Sequence, residues 1–437
     1  MTQQKTSGRG VAIAMMFLLF AMISFVTGLA SPIGVILKDQ FGASGATSQL
    51  GNLANFIAYA FMGIPAGLLL QRVGYKKTAL IAVAVGLVGV AIQFYSGVAA
   101  SFAVYVAGAF VAGFSMCLLN TVVNPMLNTL GGGGNKGNQL IQFGGSLNSM
   151  AATITPVLVG YLIGNTVRPT IENANPALFI AMGIFAVVFV VLALVRIPEP
   201  EQVAETSTEK PRSPMSFRHF VQGIIGIFIY VGVEVGIPAF LILYLTKGLG
   251  MDTAIAGSVA GTYWLLMLVG RLTGASVGAK VSAKTMLTVA SGLGMVFVLL
   301  AIFLPADIMT RVPAITKELS FSWAQAPISV LLLVLCGLCT SIMWGGIFNL
   351  AVEGLGSAVK KASGIFMVMV CGGGILPVIQ GFVADKAGTV VSAVNESGVA
   401  ENVVKADYMA SYWVIFAGLV FLLYYALAGS RIVQPKK

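Results

Sequence analysis

Long apolar runs and short polar stretches alternate along the chain in a regular rhythm. Runs long enough to cross about 30 Å of hydrocarbon as helix fall near residues 11–37, 49–70, 78–96, 101–129, 139–163 and 175–196. The polar stretch 198–217 follows, containing EPEQVAETSTEKPRSP, the most charged window of the chain, and reads as a linker. Six more apolar runs lie near 218–246, 254–275, 285–304, 326–352, 362–384 and 408–428. The pattern predicts an all-α membrane protein of twelve transmembrane helices: a six-helix bundle over 1–197, a linker over 198–217 and a second six-helix bundle over 218–437.

Composition agrees with this reading. Hydrophobic residues make up 57% of the 437 positions and charged residues 9%, against the roughly 25% charged of soluble domains. The 52 glycines and 16 prolines suit membrane helices, where neighbours re-satisfy freed backbone groups and small residues permit close contact. A net charge of +10 would suggest nucleic acid in a soluble chain. Here the basic residues gather in alternate loops instead, at Arg9, Arg72, Lys76, Lys77, Lys280, Lys284, Lys360 and Lys361. That asymmetry predicts an inner-membrane protein with both termini in the cytoplasm. The first apolar run is too long for a signal-peptide core.

The halves echo one another in order. Ser31-Pro32 corresponds to Ile237-Pro238, Arg72 to Lys77 corresponds to Ser276 to Lys280, and Leu130-Gly131 corresponds to Leu355-Gly356. Parallel repeats of this kind place a substrate site at the interface between the two bundles.

Candidate chemistry is sparse, which sharpens it. Glu234, in FIYVGVEVGIPAF, is the only acid deep inside an apolar run. An ionised side chain there costs roughly 2.5–3.5 kcal/mol unless it meets a partner, a proton or water. It is either a functional carboxylate facing a wet cavity or a structural one bonded to a neighbouring helix, and the first reading is favoured. Tyr230 shares its face. Asn120, Asn124 and Asn128 form an amide stripe at intervals of four, with Asn52 and Asn55 in the second span and Gln142 and Asn148 in the fifth. Amides both donate and accept, which suits a polyol. Tyr263, Trp264, Trp344 and Asn349 of the second half offer aromatic faces and polar edges.

Other motifs carry less. The cysteines, including Cys336-Gly-Leu-Cys339, lie in apolar runs and read as reduced core residues. Gly131 to Gly134 lacks the ending of a phosphate-binding loop. No metal, cofactor or nucleic acid is expected, and no nucleophile stands with a nearby base, so the chain does not read as an enzyme. His219 is the single histidine, so there is no histidine relay, and Asn395-Glu-Ser397 is a sequon on the expected outer side.

The segment GLLLQRVGYKKTAL resembles the loop between the second and third spans of the major facilitator superfamily, without the acid common there. More specific are NTVVNPMLNTLGGGGNKGNQLIQFGGSLNS, YVGVEVGIPAF, Gly270-Arg-Leu-Thr-Gly274 and CGGGILPVIQGFVADKAG. Together they resemble the fucose:proton symporter family, particularly its glucose/galactose branch. The resemblance implies a monomeric carrier that imports a monosaccharide by alternating access, coupled to a proton or sodium ion. The fucose-type acids of spans one and four align with Ser31 and Asn120, and a family Gln with Gly145, while the span-five Asn is kept as Asn148. The coupling role therefore passes to Glu234. The expected sugar contacts are Glu234, Asn148, Asn120, Asn124, Gln142, Tyr230, Trp264, Trp344, Asn349 and Asn52. Arg72, Lys76, Lys77 and Arg271 are expected to form a cytoplasmic gate. The alternative is an exporter of amphiphilic drugs, which would use a larger, greasier cavity and the 26 Phe and 19 Met.

Overall fold

The computed structural model describes residues 2–29, 50–163, 170–195, 197, 199, 213–251, 253–315, 320–394 and 400–432. The first half contains α1 (Thr2–Gly28), α2 (Leu50–Val98), α3 (Phe102–Leu130), α4 (Gly134–Ile163) and α5 (Asn175–Leu194). The second half opens with α6 (Arg218–Leu243), α7 (Thr253–Val277) and α8 (Ala283–Phe303). A hairpin of β1 (Met309–Ile315) and β2 (Phe321–Pro327) leads into the paired segments α9 (Ile328–Thr340) and α10 (Met343–Val352). Then come α11 (Val359–Val368), α12 (Gly372–Ala387), a hairpin of β3 (Thr389–Val394) and β4 (Ala400–Lys405), and α13 (Tyr412–Tyr424).

Among the described residues, ten helical stretches are long and apolar enough to cross a membrane. One of them holds two crossings: α2 reverses at Gly74, whose φ of 82° lies in the left-handed region that a side chain disfavours. α4, 30 residues long, is the remaining crossing, so the chain is a twelve-span membrane protein. Local chemistry starts several spans where the apolar runs predict. Ser101 Oγ accepts from Val104 N and Ser282 Oγ from Thr285 N, each satisfying a donor at a helix start, and Asp407 Oδ1 accepts from Met409 N and Ala410 N in the turn that leads into α13.

Two features depart from the apolar pattern. The tenth span is broken between α9 and α10 at Ser341-Ile342, and the eleventh between α11 and α12 at Met369–Cys371. The hairpins were not foreseen in loops read only as polar connections. β1 and β2 pair antiparallel with Val312 opposite Ala324, so the connection satisfies its own backbone, while Val312, Ala314 and Ala326 sink into the core. Thr262 Oγ1 fastens the hairpin to α7 by donating to Pro313 O at 2.8 Å.

Alternation of the spans gives the molecule a basic end, with the turns near 72–77, 131–134, 278–282 and 353–358, and a hairpin end. Ser31, Pro32, most of the 198–217 linker and the 395–397 sequon lie outside the described residues.

Candidate functional site

A cavity of about 210 Å³, room for a small solute with water, opens between the two halves. Its walls come from spans one, two, four and five of the first half and from spans seven, eight, ten and eleven of the second, the same places in each repeat. Ser24, Thr27, Tyr59, Asn120, Gln142 and Asn148 supply polar groups on one side. Glu234, Arg271, Trp264, Ser341 and Trp344 face them.

Glu234 and Arg271 are the only charged side chains lining this cavity among the described residues, and they touch. Arg271 Nη2 donates to Glu234 Oε1 at 3.0 Å, with the two side chains 10% and 13% exposed. The guanidinium is used in every direction. Nη1 donates to Gly145 O at 2.9 Å and to Ser149 Oγ at 2.8 Å, with Asn148 Oδ1 at 3.4 Å, and Nε donates to Ser341 O at 3.2 Å. One side chain from α7 thus joins α4 of the first half to α6 and α9 of the second. The planar five-donor fork makes this possible, where an ammonium would offer a single point charge. Gly145 packs directly against the stem of this side chain: a Cβ there would rest in ordinary van der Waals contact with Arg271 Cδ, at 3.4 Å. The break after α9 exposes Ser341 O at a helix C-terminus, where a cation is favoured.

These contacts correct the expected role of Arg271. Six residues before the end of α7, it stands about 9 Å inside the helix terminus and belongs to the cavity, not to a gate at the surface. The signal in the sequence is that Glu234 needs a partner and that Arg271 is the one Lys or Arg within a predicted span that does not stand at its first or last position.

The amide stripe divides. Asn120 lines the cavity and donates to Tyr59 OH at 3.0 Å. Asn124 Oδ1 accepts from Trp344 Nε1 at 3.0 Å, and Asn349 Nδ2 donates to Asn128 Oδ1 at 3.3 Å and to Gly134 O at 2.9 Å. Asn124 and Asn349, expected as sugar contacts, do not line the cavity in this arrangement; they bond to the other half in a seam between the cavity and the basic end. Trp344 belongs to both sets, its ring lining the cavity and its indole N–H in the seam. Gln142 lines the cavity and also donates across the halves to Ile342 O at 2.8 Å. Asn148 donates to Phe20 O at 3.1 Å.

Tyr230 lies fully buried behind the cavity wall, its hydroxyl adjoining Glu234 and Arg271 but outside hydrogen-bond geometry to either. Trp264 lines the cavity, with the ring of Tyr263 packed edge-on at 5.3 Å. The Asn52 side chain lies outside the described residues. Tyr59 was overlooked, although Asn52, Asn55 and Tyr59 follow a three-then-four spacing that sets them on one helix face.

The expected gate at the first basic turn also looks different. Lys76 Nζ donates to Ala193 O at 2.8 Å and Val195 O at 2.7 Å, capping α5 of its own half. Glu199 Oε1 accepts from Tyr75 N at 2.7 Å, standing at the start of the third span. Arg72 and Lys77 are exposed. Among the described residues, the basic end is closed across the halves by the amide and indole seam, by Asn138 Nδ2 donating to Met286 Sδ, and by a backbone approach of Gly364 in α11 to Gly63 and Gly67 in α2.

Comparison with known proteins places this architecture. The chain is 29% identical over 388 residues to a glucose/galactose transporter of Brucella abortus, covering 87% of this chain and 89% of that protein. It is 22% identical over 420 residues to the L-fucose-proton symporter of Escherichia coli K12, covering 89% and 91%. The crystal structure of the transporter FucP in the outward conformation superposes with a TM-score of 0.78 at 18% identity, over 97% of this chain and 100% of that one. Residues 15–377 match the Major Facilitator Superfamily, and with two six-span halves enclosing one central cavity the chain belongs to that superfamily.

Proposed function

We propose that this chain is a monosaccharide carrier of the glucose, galactose and fucose class, which moves its substrate by alternating access across the cell's inner membrane. The halves 1–197 and 218–437, joined by the linker 198–217, rock about the central cavity, with both termini in the cytoplasm and one chain as the working unit. In the arrangement described above, the seam at the basic end is closed, as expected of a carrier facing outward.

The observation that carries the reading is the Glu234–Arg271 pair set among amides, hydroxyls and two indoles in the interbundle cavity. Amides and hydroxyls match the mixed donor and acceptor character of a sugar, and Trp264 and Trp344 offer flat faces to its apolar ring. Glu234 accepts one sugar hydroxyl, and Arg271 holds the carboxylate in place. A buried pair of this kind adds little net stability compared with a packed apolar substitute, so its presence in the cavity is better explained by transport than by folding.

The pair also favours a proton over sodium as the coupling ion. Protonating Glu234 removes the attraction to Arg271 and loosens the side chain that ties the halves together, whereas a sodium ion would have to settle beside a guanidinium. The symporter name carried by the Escherichia coli relative is consistent with this choice.

Counterflow of labelled glucose, galactose and fucose into proteoliposomes tests the substrate class without an ion gradient. Saturable exchange of at least one of these sugars is expected. Folded protein that exchanges none of them, yet binds cationic dyes, would replace this reading with the drug-exporter alternative.

A further inference from the structure

Pro238 lies within α6, four residues after Glu234. Proline has no N–H, so the helical bond that would normally reach the Glu234 carbonyl cannot form, and the ring crowds that same carbonyl. A carbonyl left unpaired inside an apolar bundle carries a desolvation penalty. Here it is not left unpaired. Tyr263 OH, from α7, donates to Glu234 O at 3.2 Å.

The phenol is held from behind. Thr340 Oγ1, at the end of α9, is 2.8 Å from Tyr263 OH and 3.1 Å from Cys336 O; with its proton turned to the phenol instead of to Cys336 O, the phenol proton is left for Glu234 O. The Tyr263 backbone is fixed too: a Cβ on Gly337 would collide with Tyr263 O, so α7 and α9 touch there without an intervening side chain. Tyr263 is fully buried and does not line the cavity. The contacts close a ring through three spans. From the Glu234 carboxylate it passes to Arg271, on to Ser341 O, back one residue to Thr340, across to Tyr263 and finally to the Glu234 carbonyl.

We propose that Tyr263 is a positioning residue: it takes over the hydrogen bond that Pro238 denies to Glu234, and so fixes the carboxylate against Arg271 at the cavity wall. The role rests on reading Glu234 as the carboxylate that binds sugar and couples transport, but the bond itself does not. Without the phenol, the kinked turn of α6 loses its anchor, and the carboxylate loses its fixed distance from the guanidinium and the substrate.

Five proteins decide it: the intact chain, Tyr263→Phe, Pro238→Ala, the double variant, and Glu234→Gln as the reference for the pH readout. Pro238→Ala restores an N–H that can reach Glu234 O, so it supplies from within the helix what the phenol supplies from outside. In sugar counterflow, Tyr263→Phe is expected to raise the half-saturation concentration about two- to tenfold, the range of one ordinary hydrogen bond. The maximal exchange rate should change less than twofold. In the Pro238→Ala background, the same substitution should change neither.

Tryptophan fluorescence titrated with pH provides a readout that needs no sugar, because Trp264 and Trp344 border the pair. A transition absent from Glu234→Gln should be displaced by about half a unit or more in Tyr263→Phe and return to its place in the double variant. Should folded protein exchange no sugar while the fluorescence cycle behaves in this way, the substrate reading falls and the positioning role stands. Equal shifts in both backgrounds, no shift in either, or no Glu234-dependent transition at all would overturn it.

Discussion

A single methyl group at Gly364 should bias the carrier toward the state in which its basic end is open. In the closed arrangement, a Cβ at Gly364 would lie 2.6 Å from Gly63 O, 2.6 Å from Gly67 Cα and 2.8 Å from Gly67 N. All three are backbone atoms, so no rotamer change relieves the contact. Carbon atoms rest about 3.5–4.0 Å apart, and Gly364→Ala therefore forces α2 and α11 apart by about 1 Å along this line. Overpacking of this kind costs about 1–3 kcal/mol. The cost falls on the closed arrangement and largely disappears once the halves separate at the basic end. At 1.4 kcal/mol per factor of ten, the closed-to-open ratio drops about 5- to 150-fold.

Spin labels at Lys77→Cys and Lys361→Cys, exposed positions at the basic end of opposite halves, would report this as a distance. Cys117, Cys336 and Cys339 are buried and can stay, with Cys371 replaced by Ser. A longer-distance population should appear or grow in Gly364→Ala. An unchanged distribution in well-folded protein would refute the argument that this backbone contact separates during transport.

Other perturbations follow from the same contacts. Arg271→Ala strands the buried Glu234 carboxylate and should cost about 3–5 kcal/mol of stability, seen as a lowered midpoint in detergent melting; adding Glu234→Gln should recover much of the loss. Arg271→Lys keeps the charge but not the fork, so it should melt between the two. Trp344→Phe removes the donor to Asn124 and should move the same spin-label distance toward the open state by about 0.5–1.5 kcal/mol, without changing the melting midpoint comparably. Lys76→Ala removes a cap within one half, worth about 0.3–1 kcal/mol. It should lower stability slightly and leave the distance distribution alone, and a clear shift toward the open state would restore the basic turn as a latch between the halves.

The apolar rhythm carried the number of crossings and their order because each span must present a continuous stretch of about twenty apolar residues to lipid, a requirement that is local in sequence. The breaks at Ser341-Ile342 and Met369–Cys371 left no such mark, since broken helices are stabilised by groups on other spans, as Ser341 O is by Arg271. The hairpins were hidden for a related reason: Val312 and Ala326 make a strand pair meaningful only once a bundle exists for them to cover. At the site, Glu234, Asn120, Gln142, Asn148, Trp264 and Trp344 were legible as polar or aromatic residues with no other reason to sit inside a span. Which of them met one another was not. Asn124 and Asn349 match Asn120 in chemistry and differ only in depth along the bundle, where the opposite half takes their amides. Arg271 lies four residues from the end of the apolar run 254–275, close to where surface cations begin, and it is the length of its side chain that carries the guanidinium back to Glu234.

The most direct measurement compares Glu234→Gln with the intact chain in proteoliposomes, following labelled-sugar counterflow and sugar-evoked proton movement in the same preparation. The intact chain is predicted to show both. The variant, which keeps a hydrogen-bonding side chain of the same shape but cannot gain or lose a proton, should retain measurable counterflow that no longer depends on pH and should move no protons with the sugar. Sugar-evoked proton movement that survives in Glu234→Gln would contradict the assignment of coupling to the Glu234–Arg271 pair.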